Sequence, residues 1–240
     1  MPLPLSIVMP AYNEEGNIER AVREASAAAR GLVDDFEIVV VDDGSRDGTA
    51  SRLAVLAPET ALRLRVLTHP VNQGYGAALR DGFRATRGEL VFYTDSDNQF
   101  DLRELEGFLP LMAEADAALG FRVDRQDPFL RIVVSGFFNG LSSLLLGLHV
   151  RDLNCSFKLF RGPLIRALPI ESTDFFVDTE MVALLHARGS RLVQKGVRHL
   201  PRTSGRSTVR PRDVPRTLLA LAWMWRRLAR DPTGGGAAPE

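Results

Sequence analysis

Four short apolar runs constrain this chain most. They are Leu5–Met9 (LSIVM), the strand-like part of FEIVVVDDGS (Phe36–Ser45), LRVLTH (Leu64–His69) and ELVFYTD (Glu89–Asp95). The runs are rich in β-branched and aromatic residues and show no polar alternation, as expected of strands buried on both faces. Helical segments separate them: Glu14–Arg30, Gly48–Leu56, and a glycine-rich turn running into a helix over Asn72–Thr86. This alternation predicts an α/β fold, a single nucleotide-binding domain with a mostly parallel central sheet flanked by helices.

Ligands in such sheets sit beyond the carboxyl ends of the strands. The polar clusters Tyr12–Glu14, Asp42–Ser45 and Asp95–Gln99 fall at those ends, so three acidic groups are expected to converge on one edge. Asp95, Asp97 and Gln99 are two apart. In an extended segment that spacing points all three to one side, and hard oxygen donors of this kind suit Mg²⁺ or Mn²⁺. Asp101, ahead of LRELEGFL, reads as a helix cap. Asp43 and Glu14 are candidates to accept a base N–H, although DDGS also suits an ordinary turn. NQGYGAALRDG is either a plain helix start or a set of N–H groups facing phosphate. Arg202, Arg206, Arg210 and Arg212 crowd one loop, which reads as a solvated run or as a closure over pyrophosphate. Asp178 and Glu180 lie on a helix, two apart and so facing different ways; each is a surface residue or a candidate base. The four histidines show no metal-binding spacing.

Composition narrows the function class. The 240 residues hold 30 Lys+Arg and 30 Asp+Glu, a balance that argues against a general nucleic-acid binder. One cysteine, Cys155, excludes an internal disulfide and a cysteine-based zinc site within the chain. The first ten residues lack the basic region of a signal peptide. Residues 132–150 carry no Lys, Arg, Asp or Glu and approach the length of a membrane span. Ser135, Asn139 and Ser142 form one helical stripe and Phe138, Leu141, Leu145 and Leu148 another, which predicts an amphipathic helix, buried or at a membrane surface. RDLNCSFKLF then reads as a turn and strand, Phe175–Gly189 as a helix and RLVQKGVRHL as a late strand. The expected organisation is a catalytic domain over 1–212, an amphipathic helix over 213–230 with Trp223, Trp225 and three arginines, and a disordered tail over 231–240.

Several motifs in order, MPAYNEEGNI, EIVVVDDGSRDGT, NQGYGAALRDGF, TDSDNQFD, GFR, RDLNCSFKLFR and RTSGRS, resemble the family 2 glycosyltransferases over about residues 5–210. The chain is similar in particular to dolichyl-phosphate mannose synthases and bacterial polyprenyl-phosphate sugar synthases. The resemblance implies a glycosyltransferase A fold. It implies a donor site of Pro10, Tyr12, Glu14, Val41, Asp42, Asp43, Asp95, Ser96 and Asp97, with Arg202 on the donor diphosphate. Asp95, Asp97 and Gln99 would hold Mg²⁺ or Mn²⁺, with Asp95, Asp97 and Arg202 as the catalytic set. Arg122, Arg131 and Ser135 would receive the acceptor phosphate. Two positions depart from the pattern: Thr208 stands where the family loop carries lysine, and Phe176 where close mannose synthases carry one.

The expected reaction is inverting, metal-dependent transfer of a sugar from a GDP- or UDP-linked donor to a polyprenyl phosphate. The expected location is cytoplasmic, peripheral at the inner face of the membrane, with a separate anchoring subunit as a further partner. The alternatives are transfer to a hydroxyl with Asp178 or Glu180 as base, a sugar nucleotidyltransferase, and a non-catalytic nucleotide-sugar binding protein.

Overall fold

The structure is a computed structural model and describes residues 5–123, 129–201 and 213–231. Seven strands form one sheet in the order β3-β2-β1-β4-β6-β5-β7. The four anticipated strands are β1 (Leu5–Ala11), β2 (Phe36–Asp42), β3 (Leu64–Thr68) and β4 (Leu90–Thr94). They pair in parallel, β1 lying between β2 and β4. β5 (Ala117–Val123) and β7 (Leu192–Arg198) are parallel to each other, while β6 (Phe157–Arg161) runs antiparallel to both β4 and β5. The expectation of a mostly parallel sheet holds. The chain steps outward from β1 through β2 to β3, then returns to place β4 on the other side of β1. That reversal makes the carboxyl ends of β1, β2 and β4 the topological switch point.

Side-chain alternation sends each strand into two cores. Ile7, Met9 and Phe92 pack with α1 (Ile18–Leu32) and α2 (Thr49–Leu56), whereas Val8, Val91 and Tyr93 pack on the opposite face. That second layer contains α3 (Tyr75–Ala85), α4 (Phe129–Leu146), α5 (Gly162–Arg166), α6 (Val177–Ala187) and α7 (Asp213–Arg230). The absence of a side chain at Gly82 lets α3 lie on the sheet: a Cβ there would sit 2.7 Å from Val8 Cγ1 and 3.1 Å from Val41 Cγ2. α6 is buried almost all round, Val177 through Leu185.

α4 differs from its sequence reading. It begins at Phe129 and ends at Leu146, and Gly147 (φ +68°) follows in the left-handed conformation that commonly terminates a helix. Its faces are only partly those expected: Phe138 and Leu141 pack into the second core as read, but Ser142 packs inward with them. Ser142 is fully buried beside Phe138 and Leu146, and Asn139 reaches the Arg151 carbonyl and the Leu153 N–H. Phe137 (67% exposed) and Leu144 (81%) point outward. Among the described residues no helix is long and apolar enough to cross a membrane.

Candidate functional site

The loops after β1 and β2 are stitched together by their own polar groups. Asn13 adopts a left-handed conformation (φ +56°); its N–H donates to Ser45 Oγ (2.9 Å) and its Oδ1 accepts from the Arg46 N–H (2.8 Å). The Glu14 N–H donates to Thr49 Oγ1, and the Glu14 carboxylate accepts from Asn17 Nδ2 at 2.6 Å. Asp42 closes the DDGS turn through the Ser45 N–H. Tyr12 and Glu14 are half-buried on this rim. Pro10 is buried, and its carbonyl accepts from Ser96 Oγ (2.9 Å), which ties the end of β1 to the end of β4. Val41 is a core residue beneath α3.

Asp43 holds a loop rather than lying open at the rim. Its Oδ1 takes the Gln73 N–H (2.8 Å) and lies 2.7 Å from His69 Nδ1; its Oδ2 takes the Gly74 N–H (2.9 Å). The reading of NQGYG as a phosphate cradle is corrected by the same contacts. The N–H groups of Gln73 and Gly74 go to Asp43, and that of Gly76 goes to the Thr173 carbonyl. The glycines are there for close approach. A Cβ on Gly74 or Gly76 would meet the carbonyl oxygen of Thr173 or Ser172 at 2.2 Å. His69, given no role from sequence, braces this loop between Asp43 and Asp81.

β4 ends at Thr94, and the next residues do not continue its pleat. The backbone bends at Ser96 and Asp97, and Asn98 is left-handed (φ +59°) with its amide on the Asn17 carbonyl. The premise of a two-residue repeat therefore fails, although Asp95 and Asp97 still come close enough for their charges to oppose each other. The amide nitrogen of Gln99 donates to the Leu200 carbonyl and lies 3.3 Å from His199 Nε2. Asp97 Oδ1 accepts the Gln99 N–H, and Asp101 caps its 3-10 turn through the Arg103 N–H, as anticipated. Burial, then the charge of Asp97, pushes the Asp95 carboxyl up to about 7 against the pull of two hydroxyl donors.

Those donors belong to a buried network that the sequence did not announce. Tyr75 Oη donates to Asp95 Oδ1 (2.7 Å) and Ser156 Oγ to Asp95 Oδ2 (2.6 Å). Tyr75 also meets the hydroxyl of Tyr93, which lies 3.5 Å from Asp178. Asp178 is paired with the fully buried Lys158, whose ammonium also donates to the Cys155 carbonyl. The available signal was a lysine in the middle of the apolar strand FKLFR, a charge that needs a buried partner.

Arg122, expected to receive the acceptor phosphate, and the candidate base Glu180 are both engaged in ion pairs. Arg122 makes a bidentate bridge to Asp152 (2.7 and 2.9 Å), both side chains nearly buried. Glu180 is fully buried. Its oxygens take Arg227 Nη1 (2.7 Å) and the N–H groups of Glu171 and Ser172. Of the two readings left open for Asp178 and Glu180, the surface one is overturned for both, and the pairing of Glu180 with Arg227 removes it as a base. The side chains of Arg131 and Ser135, and all of Arg202, Arg206, Thr208, Arg210 and Arg212, lie outside the described residues.

Residues 6–168 match the profile of glycosyl transferase family 2. The chain belongs to that family. Among its family 2 relatives, glycosyltransferase AglD of Haloferax volcanii is 36% identical over 202 residues, covering 79% of this chain and 32% of that protein. Dodecaprenyl-phosphate galacturonate synthase of Rhizobium johnstonii is 31% identical over 171 residues (70% and 51%). Undecaprenyl-phosphate 4-deoxy-4-formamido-L-arabinose transferase of Edwardsiella ictaluri is 29% identical over 205 residues (85% and 62%). The chain thus spans between a third and two thirds of the length of these relatives. A solved structure of glucosyl-3-phosphoglycerate synthase from Mycobacterium tuberculosis with Mn²⁺, UDP-glucose and phosphoglyceric acid superposes with a TM-score of 0.69 at 22% identity, covering 92% of this chain and 80% of that one. The shared fold is the glycosyltransferase A type.

Proposed function

We propose that this family 2 domain transfers a sugar, with inversion, from a nucleotide-linked donor to a polyprenyl phosphate. The observation that carries the reading is the state of the two candidate bases. Asp178 is committed to Lys158 and Glu180 to Arg227. A hydroxyl acceptor needs a base in reach of its proton. A phosphate monoester, with a second pKa of about 6, is already largely ionised at neutral pH and needs none. Two of the relatives named above act, by name, on dodecaprenyl and undecaprenyl phosphate.

Asp95 and Asp97 fit a divalent metal. They offer hard oxygen donors, and among the described residues the hydrogen-bond partners of Asp95 are the neutral hydroxyls of Tyr75 and Ser156, so a cation would relieve its buried charge. When bound, Mg²⁺ or Mn²⁺ supplies charge to offset the departing diphosphate. Gln99 would be the third ligand through its side-chain oxygen, its amide nitrogen being held by the Leu200 carbonyl. Pro10, Tyr12, Glu14, Val41, Asp42, Asp43 and Ser96 shape the donor side, where a GDP- or UDP-linked sugar sits, and Arg202 contacts its diphosphate. Arg122 receives the acceptor phosphate with Arg131 and Ser135, oriented by Asp152.

The outward faces of α4 and α7 support a lipid-borne acceptor. Phe137 and Leu144 on α4, and Leu219, Trp223 and Trp225 on α7, are exposed beside Arg226 and Arg230. Aromatic and arginine side chains of this kind suit an anionic membrane surface. We place the domain at the inner face of the cytoplasmic membrane, by itself or with an anchoring subunit. The test is a matched acceptor pair. Polyprenyl phosphate is expected to be glycosylated and the corresponding polyprenol left untouched; transfer to the alcohol but not the phosphate overturns the reading.

A further inference from the structure

Behind Asp95 lies a chain of polar groups running through the second core: Tyr75, Tyr93, Asp178 and Lys158, with Ser156 beside it. Stability does not call for such a chain, because a buried ion pair is often replaced by apolar residues at no cost or at a gain. Its direction can be counted. The two tyrosines have two hydroxyl protons for three contacts. Tyr75 uses its proton on Asp95 at 2.7 Å. Tyr93 has a close contact to Tyr75 and a 3.5 Å contact to Asp178, so its proton goes to the Tyr75 oxygen. Asp178 is left to Lys158, whose ammonium also lies 5.4 Å from the centre of the Tyr93 ring.

The Tyr75 ring is fixed from three sides. It starts α3 immediately after Gly74, whose φ of +101° and contact with the Thr173 carbonyl admit no side chain. Phe175 stacks on it with ring centroids 4.9 Å apart. Tyr93, fully buried, abuts its hydroxyl. Ser156 reaches the other Asp95 oxygen from the turn before β6. The two hydroxyls therefore grip one lone pair on each carboxylate oxygen and fix how the group faces the switch point.

We propose that Tyr75 and Ser156 are positioning residues that aim the Asp95 carboxylate at a divalent cation, with Tyr93 orienting the Tyr75 hydroxyl. The inference rests on the reading of Asp95 as a metal ligand. Outer partners of this kind set the geometry of ligating carboxylates, and their removal costs about 10- to 100-fold in metal affinity.

The test measures binding, not turnover. Mn²⁺ binding is followed by electron paramagnetic resonance in the wild-type chain and in Tyr75→Phe and Ser156→Ala. Tyr75→Phe keeps the ring and its stack on Phe175. UDP and GDP affinities are measured with Mn²⁺ and with chelator. Both variants are expected to lose about 10-fold in Mn²⁺ affinity. They should weaken nucleotide binding only when Mn²⁺ is present, a split that a general packing defect would not produce. Wild-type Mn²⁺ affinity in both variants removes the positioning role and leaves the metal site standing. A wild-type chain that binds no Mn²⁺ removes the metal site, and the proposal with it.

Discussion

Replacing Asp95 with asparagine should stabilise the metal-free protein while removing its metal site. The Asp95 carboxyl is pushed from an ordinary 3.8 to about 7, first by burial and then by Asp97. The folded chain therefore holds this proton more tightly than the unfolded chain does. Stability is fully present below about pH 4 and is lost as the pH rises through about 7. At about 1.4 kcal/mol per pH unit, the ceiling on that loss is about 4 kcal/mol. The amide can accept from one of the two hydroxyls and donate to the other, so the variant keeps the local geometry without the charge. Urea unfolding in chelator at about pH 5 and about pH 8 isolates the effect, because the other titrating groups are common to both proteins. Asp95→Asn should be the more stable protein at the higher pH, with the gap widening by about 3 kcal/mol between the two conditions. Adding Mn²⁺ and UDP should then restore wild type and leave the variant unchanged. A gap that stays constant with pH would refute the claim that Asp95 is strained by burial and by its neighbour.

Three other expectations are open to measurement. Arg122→Met removes the bidentate guanidinium partner of the nearly buried Asp152 and should cost about 3–5 kcal/mol in urea unfolding, while Arg122→Met with Asp152→Leu recovers most of it. Glu180→Gln should loosen α7 through Arg227, seen as faster hydrogen exchange in residues 216–231 with little change in the central strands. Leu219→Ser with Trp225→Ser should reduce binding to vesicles containing anionic lipid without altering nucleotide affinity, and unchanged vesicle binding would remove α7 from the membrane face.

The parts of the fold legible in the sequence are those where local pattern and burial agree. β1, β2 and β4 are buried on both faces, so their apolar runs read directly as strands, and the half-buried edge strand β3 read from its Leu and Val residues. β5 escaped because AALGFRV opens on two alanines, is interrupted by Gly120 and holds a single β-branched residue, Val123. β6 was legible as a strand but not as an antiparallel one, since direction is decided by partners far along the chain. The site was legible in its residue types and less so in its geometry. Asp95 and Asp97 do meet, but through a bend and a left-handed Asn98 rather than by strand alternation. The N–H groups of NQGYG looked available because Asp43 and Thr173, which take them, are distant in sequence. Glu180 looked exposed because nothing near it announces Arg227, and Ser142 faces the core while Phe137 and Leu144 face out.

The most direct measurement is a panel of GDP- and UDP-linked sugars offered with a polyprenyl phosphate and Mg²⁺ or Mn²⁺, scoring release of nucleoside diphosphate with formation of the glycolipid. The account predicts release with at least one donor, dependent on both the metal and the lipid phosphate, and lost in Asp97→Asn. Release to a free sugar or other hydroxyl acceptor, with none to any lipid phosphate, would contradict it.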